Sequence, residues 1–436
     1  MKKSISITLS MLLAWGGVSA QKIDFEEYDL PNGLHVILHQ DNSTPITAVS
    51  VLYHVGSKNE DPVRTGFAHF FEHLMFEGSD NIGRGDYMKL VQGSGGELNA
   101  NTSFDRTYYY ELLPSNQLEL GLWMEAERML HLKVDKEGVE TQRKVVKEER
   151  SQRLDNRPYG SILEQVFKHG FKVHPYNWVP IGSAQYIDQA TLDEFMDFYK
   201  TFYVPNNATL CIAGDINVGQ TKEWITKYFG DIAKGTKEIP RPKVVEPPLG
   251  GEVKDVVYDN IQLPAVVHGY RSPAQGTPDF YAVSMLNTLL TGGGSARLTK
   301  ELVDKQQKSV GVFSFPLSSE DPGLSLIIAI AGGGVKVEDL DASIDAELEK
   351  IRSNGLTDKE FEKLRNQVES EFVSQSASIA SRCENLANYH VYYGDANLIN
   401  TEIERYMKVS KEDIQRVAKE YFHKDNRVNL YYLPKK

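Results

Sequence analysis

The sequence has almost no cysteine: Cys211 and Cys383 are the only two in 436 residues. Two cysteines cannot form the disulfide framework that holds small secreted folds together, so a hydrophobic core must stabilise this one. Cys211 lies in the apolar run 208–213, which contains no charged residue. A cysteine in such a run is expected to be a buried free thiol.

Positive charge is also scarce, and it is not clustered. The chain has 48 Lys and Arg against 60 Asp and Glu, and its formal net charge is −12. An acidic chain without a basic run lacks the surface that nucleic acids bind, so we expect no nucleic-acid partner. Beyond residue 20 no apolar run is long enough to span a membrane, and we expect no membrane span.

Residues 1–20 have the pattern of a secretory signal peptide. Lys2 and Lys3 precede a short apolar core at 5–15, and residues 18–20 form a small-residue cleavage site. The core is too short for a membrane-spanning helix, and no cysteine follows the cleavage site to carry a lipid anchor. We therefore expect export from a bacterial cytoplasm, with the mature chain in the periplasm or secreted.

Residues 69–73 read His-Phe-Phe-Glu-His and are the strongest functional signal in the chain. Histidines four residues apart lie one turn apart on the same face of a helix, so both imidazoles can bind one zinc ion. Glu72, outside the coordination shell, can take a proton from water that the zinc activates. A surface helix with a polar face is the alternative. Apolar residues at 67, 70, 71, 74 and 75 indicate a buried helix instead, and a buried cluster of this kind needs a partner.

A catalytic zinc ion usually has three protein ligands, so a third ligand is expected far away in sequence. The motif of His69 and His73, together with Val-Val-Lys-Glu-Glu-Arg at 145–150, resembles the pitrilysin/insulinase family of zinc peptidases. In that family a glutamate at the spacing of Glu149 completes the site, which implies one Zn²⁺ per chain. Glu148 is the neighbouring alternative, but it would face about 100° away on a helix. Without the resemblance, a solvated helix face would explain both glutamates.

The segment Gly-Gly-Glu-Leu-Asn-Ala-Asn-Thr at 95–102 resembles a second motif of the same family. There it is an edge strand beside the metal, which implies that Asn99, Ala100, Asn101 and Thr102 bind substrate. Main-chain hydrogen bonds to such a strand hold any extended peptide, and side-chain pockets select among peptides. An ordinary strand after a glycine turn is the alternative.

The two halves of the chain are similar, which indicates an internal duplication. A helix that begins at Thr191 precedes a strand at 209–213, and a helix that begins at Ser410 precedes a strand at 428–432. Strands and helices alternate in both halves. We therefore expect an α+β fold of two similar domains, each a β-sheet with helices packed on it, and the resemblance implies the same architecture.

The duplication also predicts where the domains begin and end. We expect an N-terminal zinc-binding peptidase domain at 21–236, a Pro/Gly-rich linker at 237–251, and a C-terminal domain at 252–436. Alignment of the halves places Val283, Leu286 and Asn287 at the positions of the first half's motif. The second domain is therefore not expected to hold a metal.

Three positions depart from the family pattern. Val303 and Val310 stand where many members have an arginine and a tyrosine that hold the substrate carbonyl. Gln142 replaces a supporting glutamate, and Glu140 is a candidate substitute. The resemblance thus implies a heterodimer with a related chain that lacks the zinc motif but carries the Arg/Tyr pair. A homodimer is the second possibility.

The sequence favours a zinc-dependent endopeptidase that cleaves peptides or unfolded segments, with Glu72 as the general base. One alternative is a non-catalytic structural or assembly subunit of the same family. Such subunits typically have a damaged motif, whereas this motif is whole. The other alternative is a metal-dependent hydrolase of a different substrate.

Overall fold

The computed structural model describes residues 22–435, so the predicted signal peptide at 1–20 lies outside the described residues. The strands are β1 Glu26–Asp29, β2 His35–Gln40, β3 Ile46–Tyr53, β4 Glu97–Thr102, β5 Thr107–Pro114, β6 Ala208–Gly214, β7 Val253–Asp259, β8 Ala265–Ser272, β9 Ser309–Pro316, β10 Gly323–Ala331 and β11 Arg427–Pro434.

The helices are α1 Phe67–Leu74, α2 Tyr87–Gly93, α3 Leu118–Leu130, α4 Lys136–Arg150, α5 Ile162–Gly170, α6 Ala184–Gln189, α7 Leu192–Phe202, α8 Val218–Phe229, α9 Pro278–Thr291, α10 Val337–Asn354, α11 Asp358–Gln375, α12 Ile379–Tyr393, α13 Leu398–Met407 and α14 Lys411–Glu420. Among the described residues, none of these helices has the length and hydropathy needed to cross a membrane.

The two halves build sheets of equivalent topology. The first sheet has the order β1-β2-β6-β3-β5-β4 and the second β7-β11-β8-β10-β9. In each sheet one pair is parallel, β2 with β6 and β7 with β11, and the other neighbours are antiparallel. Apart from the additional edge strand β1, the strands match in order. This match confirms the prediction of an α+β fold with two similar domains.

Both faces of the first sheet are buried, but by helices from different halves. In β3, Val49 and Val51 pack in a core with α1, α3, α7 and α8 of their own half. Ala48 and Leu52 point to the opposite face, where they pack against α12 of the second half. Continuous apolar strands suit a sheet that is covered on both sides.

One face of the second sheet is covered by a helix of the first half. Val166 and Phe167 of α5, from the first half, pack with Val267 of β8 and Leu430 of β11. The other face of this sheet is covered by α9, α10, α11 and α14 of its own half. The domain bounds at 21–236 and 252–436 stay a prediction. Helices α5 and α12 each pack on the sheet of the other half, so the contacts between helices and sheets do not follow these bounds.

The two cysteines lie at the contact between α12 and the first sheet. Both are buried free thiols, as predicted for Cys211. Cys383 Sγ donates to the carbonyl oxygen of Cys211 at 3.0 Å and accepts from Ser50 Oγ at 3.3 Å. Small side chains at this contact let the helix approach the sheet closely.

A buried ion cluster joins the two halves near the start of α1. The Lys58 ammonium lies 3.0 Å from Asp105 of the first half. It also lies 2.5 Å from Glu320 and 3.1 Å from Asp321, both in the loop between β9 and β10. Burial raises the pKa of Glu320, but His54 and Lys58 outweigh that effect and lower the pKa to about 2. The cluster holds the loop of the second half against the first half.

We expect Glu320→Gln to lower the melting temperature at pH 7 by much more than at pH 3. A carboxylate with a depressed folded-state pKa adds stability above its unfolded pKa, here near 4.5, and loses it as the pH falls toward 2. Loss of a hydrogen-bonded charge costs about 1.5–3 kcal/mol. Thermal unfolding at both pH values measures the effect. Glu369→Gln, at an exposed position, is the control, and an equal loss at both pH values would contradict the assignment.

Candidate metal centre

The helix that carries the motif begins without a side-chain cap of its own. Its N-cap residue is Gly66, at φ +101°, a left-handed conformation that favours glycine. The buried carboxyl group of Glu60 substitutes, because it accepts the backbone N–H groups of Gly66 at 2.9 Å and Ala68 at 2.8 Å. Trp178 Nε1 donates to the same group at 3.1 Å. Glu60 therefore fixes the start of α1.

The apolar side of α1 is fixed by aromatic packing. Phe67 and Phe70 stack on Phe195 of α7 with ring centroids 4.6 Å and 4.5 Å apart, and Phe71 stacks on Phe198 at 5.5 Å. All three phenylalanines of α1 are buried. With this face packed on α7, residues 69, 72 and 73 face the cavity between α1, α4 and β4.

Glu149 of α4 meets the two histidines of α1. Its Oε2 atom lies 2.9 Å from His73 Nε2 and 3.5 Å from His69 Nε2. One ligand atom from each of the three side chains lies within 4.8 Å of the others. Glu148 also lines the cavity, but it is exposed, accepts a hydrogen bond from Gln152 at 2.7 Å and does not belong to this set of three. The structure thus brings together the three residues that the sequence selected, and not the neighbouring alternative.

The chemistry of these three side chains fits a zinc ion. Burial, followed by the proximity of His73, lowers the pKa of His69 to about 4, so this imidazole is in the neutral form that binds zinc. Burial raises the pKa of Glu149, but His73, His69 and Arg153 outweigh it and keep the carboxylate ionised. Among the described residues, the buried Glu149 Oε2 meets no donor in hydrogen-bond geometry. A cation among these atoms would satisfy that oxygen.

Glu72 lies in the same cavity but outside the set of three. Its Oε2 atom accepts a hydrogen bond from Thr102 Oγ1 of β4 at 2.6 Å. Burial raises the pKa of this carboxyl above its usual value. A carboxylate with a raised pKa beside a metal site is suited to accept and return a proton near neutral pH.

The predicted substrate residues form the outer edge of the first sheet. β4 pairs only with β5 and is the last strand in the sheet order. Asn99, Ala100, Asn101 and Thr102 line one cavity of about 850 Å³ together with the metal-binding set and Glu72. Thr102 contacts Glu72, as described above, and Asn101 Oδ1 accepts a hydrogen bond from Arg106 at 2.8 Å.

The sequence left open whether a carboxylate at position 140 compensates for Gln142. Gln142 donates to Glu77, and its buried Oε1 atom has no partner among the described residues. Glu140 is exposed and pairs with Arg143 at 3.2 Å, and it does not line the cavity. Glu140 therefore does not replace the glutamate that is missing at position 142.

The second half has no metal-binding set at the matching helix within the part of the chain that the structure describes. Val283, Leu286 and Asn287 of α9 are buried. The Asn287 amide donates to Val283 O and to Ser325 Oγ instead. Val310 of β9 is exposed, so it offers an apolar side chain where the family pattern has a polar one.

Sequence reasoning missed three contributors to the site. They are Glu60 at the start of α1, Thr102 as a partner of Glu72, and Arg153, which lies 2.7 Å from Glu149 Oε1. Arg153 follows Glu149 by four residues, about one helical turn. Of the three contacts, only this one has a local spacing that the sequence alone could have indicated.

Comparison with known proteins gives the same family. A family model described as "Insulinase (Peptidase family M16)" matches residues 35–178, and one described as "Peptidase M16 inactive domain" matches 189–368. Zinc protease PqqE of Helicobacter pylori is 34% identical over 412 residues, which cover 94% of this chain and 93% of the relative.

Solved structures share the fold. A protease from Helicobacter pylori superposes with a TM-score of 0.90 at 33% identity, covering 94% of this chain and all of the other. The periplasmic protease PqqL of Escherichia coli has a TM-score of 0.77 at 16% identity, and the match covers 95% of this chain but 48% of PqqL. The motifs, the fold and these matches together show that the chain belongs to the pitrilysin/insulinase family of peptidases, in its short two-domain form.

Proposed function

We propose that this chain is a zinc-dependent endopeptidase with one catalytic zinc ion, held by His69, His73 and Glu149. The observation that carries the proposal is the convergence of these three side chains, with the Glu72 carboxylate beside them and outside the set. A bound Zn²⁺ supplies Lewis acidity, which polarises the scissile carbonyl and acidifies water. Glu72 takes the proton of the attacking water and returns it to the leaving amine.

Thr102 positions the base. Its hydroxyl donates to one oxygen of Glu72 and leaves the other oxygen free to accept the proton. Because Thr102 is on β4, the same strand that orients Glu72 also borders the cavity where the substrate would lie. The strand β4 therefore positions both the base and the substrate backbone.

The substrate class follows from the free edge of β4. An unpaired strand edge binds an extended backbone through main-chain hydrogen bonds, and Asn99 to Thr102 provide that edge beside the metal-binding set. A compact folded protein has no free extended segment to add to the sheet. Peptides and unfolded segments are the substrates that this geometry supports.

Two other functions fit this site less well. A non-catalytic assembly subunit would need neither a third ligand nor a base, yet Glu149 converges with the two histidines and Glu72 lies beside them. A hydrolase of a different substrate would not need an unpaired strand edge next to its metal.

Cleavage assays test the proposal directly. We expect the chelator-treated protein to be inactive, and stoichiometric Zn²⁺ to restore cleavage of an unstructured peptide. The same sequence inside a stably folded domain should resist cleavage. Efficient hydrolysis after complete zinc removal, or equal cleavage of folded and unfolded forms, would contradict the proposal.

We further propose that the chain works as the zinc-bearing member of a heterodimer. It matches about half of PqqL, so two chains of this length would equal one PqqL chain. A transition-state oxyanion gains from a fixed hydrogen-bond donor, and Val303 and Val310 have no side-chain donor. A related chain with an Arg/Tyr pair would supply it, and a homodimer that uses another donor is the second candidate.

Addition of such a partner is expected to raise kcat/KM about 10²–10³-fold, the effect of gaining one oxyanion donor. Peptidase assays on the isolated chain, with and without the related chain, measure it. A partner with its arginine and tyrosine replaced by valine is the matched control and should give little gain. Full activity of the pure homodimer, unchanged by any related chain, would contradict the heterodimer.

We also propose that the chain is exported to the periplasm. Residues 1–20 carry the signal pattern, and the structural relative PqqL is described as periplasmic. Mass spectrometry of the cell-envelope fraction should find a chain that begins at Gln21. An unprocessed chain confined to the cytoplasm would contradict export.

A further inference from the structure

A second cluster of metal-binding side chains lies at the other edge of the first sheet. Glu27 of β1, His35 of β2 and His390 of α12 each offer one ligand atom within 4.8 Å of the others. The sheet order places β1 and β2 at the edge opposite to β4. Because α12 belongs to the second half of the chain, this cluster joins the two halves far from the proposed catalytic zinc.

The His35 ring is held in the orientation of a metal ligand. Its Nδ1 atom lies 2.8 Å from Asp29 Oδ1, and this hydrogen bond places the ring proton on Nδ1. Carboxylates hold metal-binding histidines in this way. The Nε2 atom is then an acceptor. It is buried and has no hydrogen-bond partner among the described residues.

The unpartnered Nε2 atom of His35 lies close to another hydrogen-bond acceptor, the carboxylate of Glu27. This Nε2 atom lies 3.4 Å from Glu27 Oε2. Ligand atoms on a tetrahedral zinc ion with bonds of about 2.0–2.1 Å are about 3.3–3.4 Å apart. In the range 22–435, neither Glu27 nor Asp29 has a lysine or arginine partner that would place a side-chain cation there.

His390 supplies the third donor. Its ring stacks on His35 with centroids 3.4 Å apart and planes inclined by 6°. Nitrogens of parallel rings do not point at one position. Coordination therefore requires the His390 ring to turn about its Cβ–Cγ bond.

We propose that Glu27, His35 and His390 form a second zinc site that fastens α12 to the β1–β2 edge. Two imidazoles and a carboxylate are a donor set that zinc prefers. The Glu27 side chain is 43% exposed, so an ion can enter from solvent and water can complete the coordination. The ion binds the packed halves and not the unfolded chain, and it therefore stabilises the fold.

The alternative is a cluster without metal, in which His35 lies between Glu27 and Asp29 as an ordinary polar contact. A zinc titration of a chain that lacks the His69 and His73 ligands distinguishes the zinc site from the cluster without metal. The experiment uses the full chain with His69→Ala and His73→Ala, treated with chelator and then titrated with Zn²⁺ alone. We expect one Zn²⁺ per chain and a melting temperature that rises by several degrees.

Adding His390→Ala to this background should abolish both the bound zinc and the rise in melting temperature. His131→Ala is the matched control, because His131 also faces an aspartate but belongs to neither cluster, and it should leave zinc binding unchanged. Glu27→Gln, at an exposed edge position, tests the site if loss of His390 prevents folding, and it should weaken zinc binding at least tenfold. Absence of zinc binding in the background chain, or equal binding after His390→Ala, would overturn the second site without affecting the first.

Discussion

Glu72→Gln is expected to keep stoichiometric zinc and to lower kcat about 10²–10⁴-fold, the usual contribution of a general base. Glutamine has nearly the same shape, and its amide oxygen can still accept the hydrogen bond that Thr102 donates to Glu72. The ligand atoms of His69, His73 and Glu149 are unchanged. What the variant loses is the oxygen that accepts a proton. Zinc content by mass spectrometry and steady-state cleavage of an unstructured peptide measure the two effects separately.

His73→Ala serves as the contrast, since it removes a ligand and should lose the zinc ion of this site together with hydrolysis, while the proposed second site keeps its own zinc ion. Thr102→Val tests the positioning role of Thr102. It should keep zinc and lower kcat less than Glu72→Gln, and Thr102→Ser should restore most of the rate because it restores the hydroxyl. Near-normal turnover by Glu72→Gln would show that another group is the base.

Glu149→Gln should weaken zinc binding more than about 100-fold, because loss of a direct ligand exceeds the 10–100-fold cost of losing a supporting group. An amide oxygen is a neutral, weaker ligand than a carboxylate. Hydrolysis should fall in parallel with the zinc occupancy of this site, and high added Zn²⁺ should restore part of it. Competition with a chromogenic chelator measures the affinity.

The neighbouring glutamate gives a matched control. Glu148→Gln changes the same charge one residue away, on a side chain that is exposed and bonded to Gln152. It should leave zinc affinity unchanged and activity within a few-fold of wild type. If Glu148→Gln lost zinc and Glu149→Gln kept it, the third ligand would be assigned to the wrong residue.

The sequence was sufficient for the parts of the site that have a local pattern. The spacing of His69 and His73 placed two ligands on one helical face, and the glycine pair before Glu97 indicated a strand, whose place at the sheet edge came from the family resemblance. Glu149 needed the family resemblance, because a pair of acids on a helix usually faces solvent. Val283 and Asn287 were identified as non-ligands because the halves of the chain could be aligned.

Features that depend on tertiary contacts could not be predicted. Cys383, Leu386 and Ala387 share the buried face of α12, but their spacing in the sequence does not say that this face packs on the sheet of the other half. Thr102 and Glu72 are 30 residues apart and meet only because β4 lies beside α1. Glu60 reaches the start of α1 from a preceding loop, outside the local positions where helix caps are sought.

The most direct test of the central claim is anomalous diffraction at the zinc edge from crystals grown with Zn²⁺. We expect one strong peak within about 2.0–2.2 Å of His69 Nε2, His73 Nε2 and a carboxylate oxygen of Glu149, with Glu72 outside bonding distance. A peak bonded to Glu148 or Glu72, or no peak among these three side chains, would contradict the account.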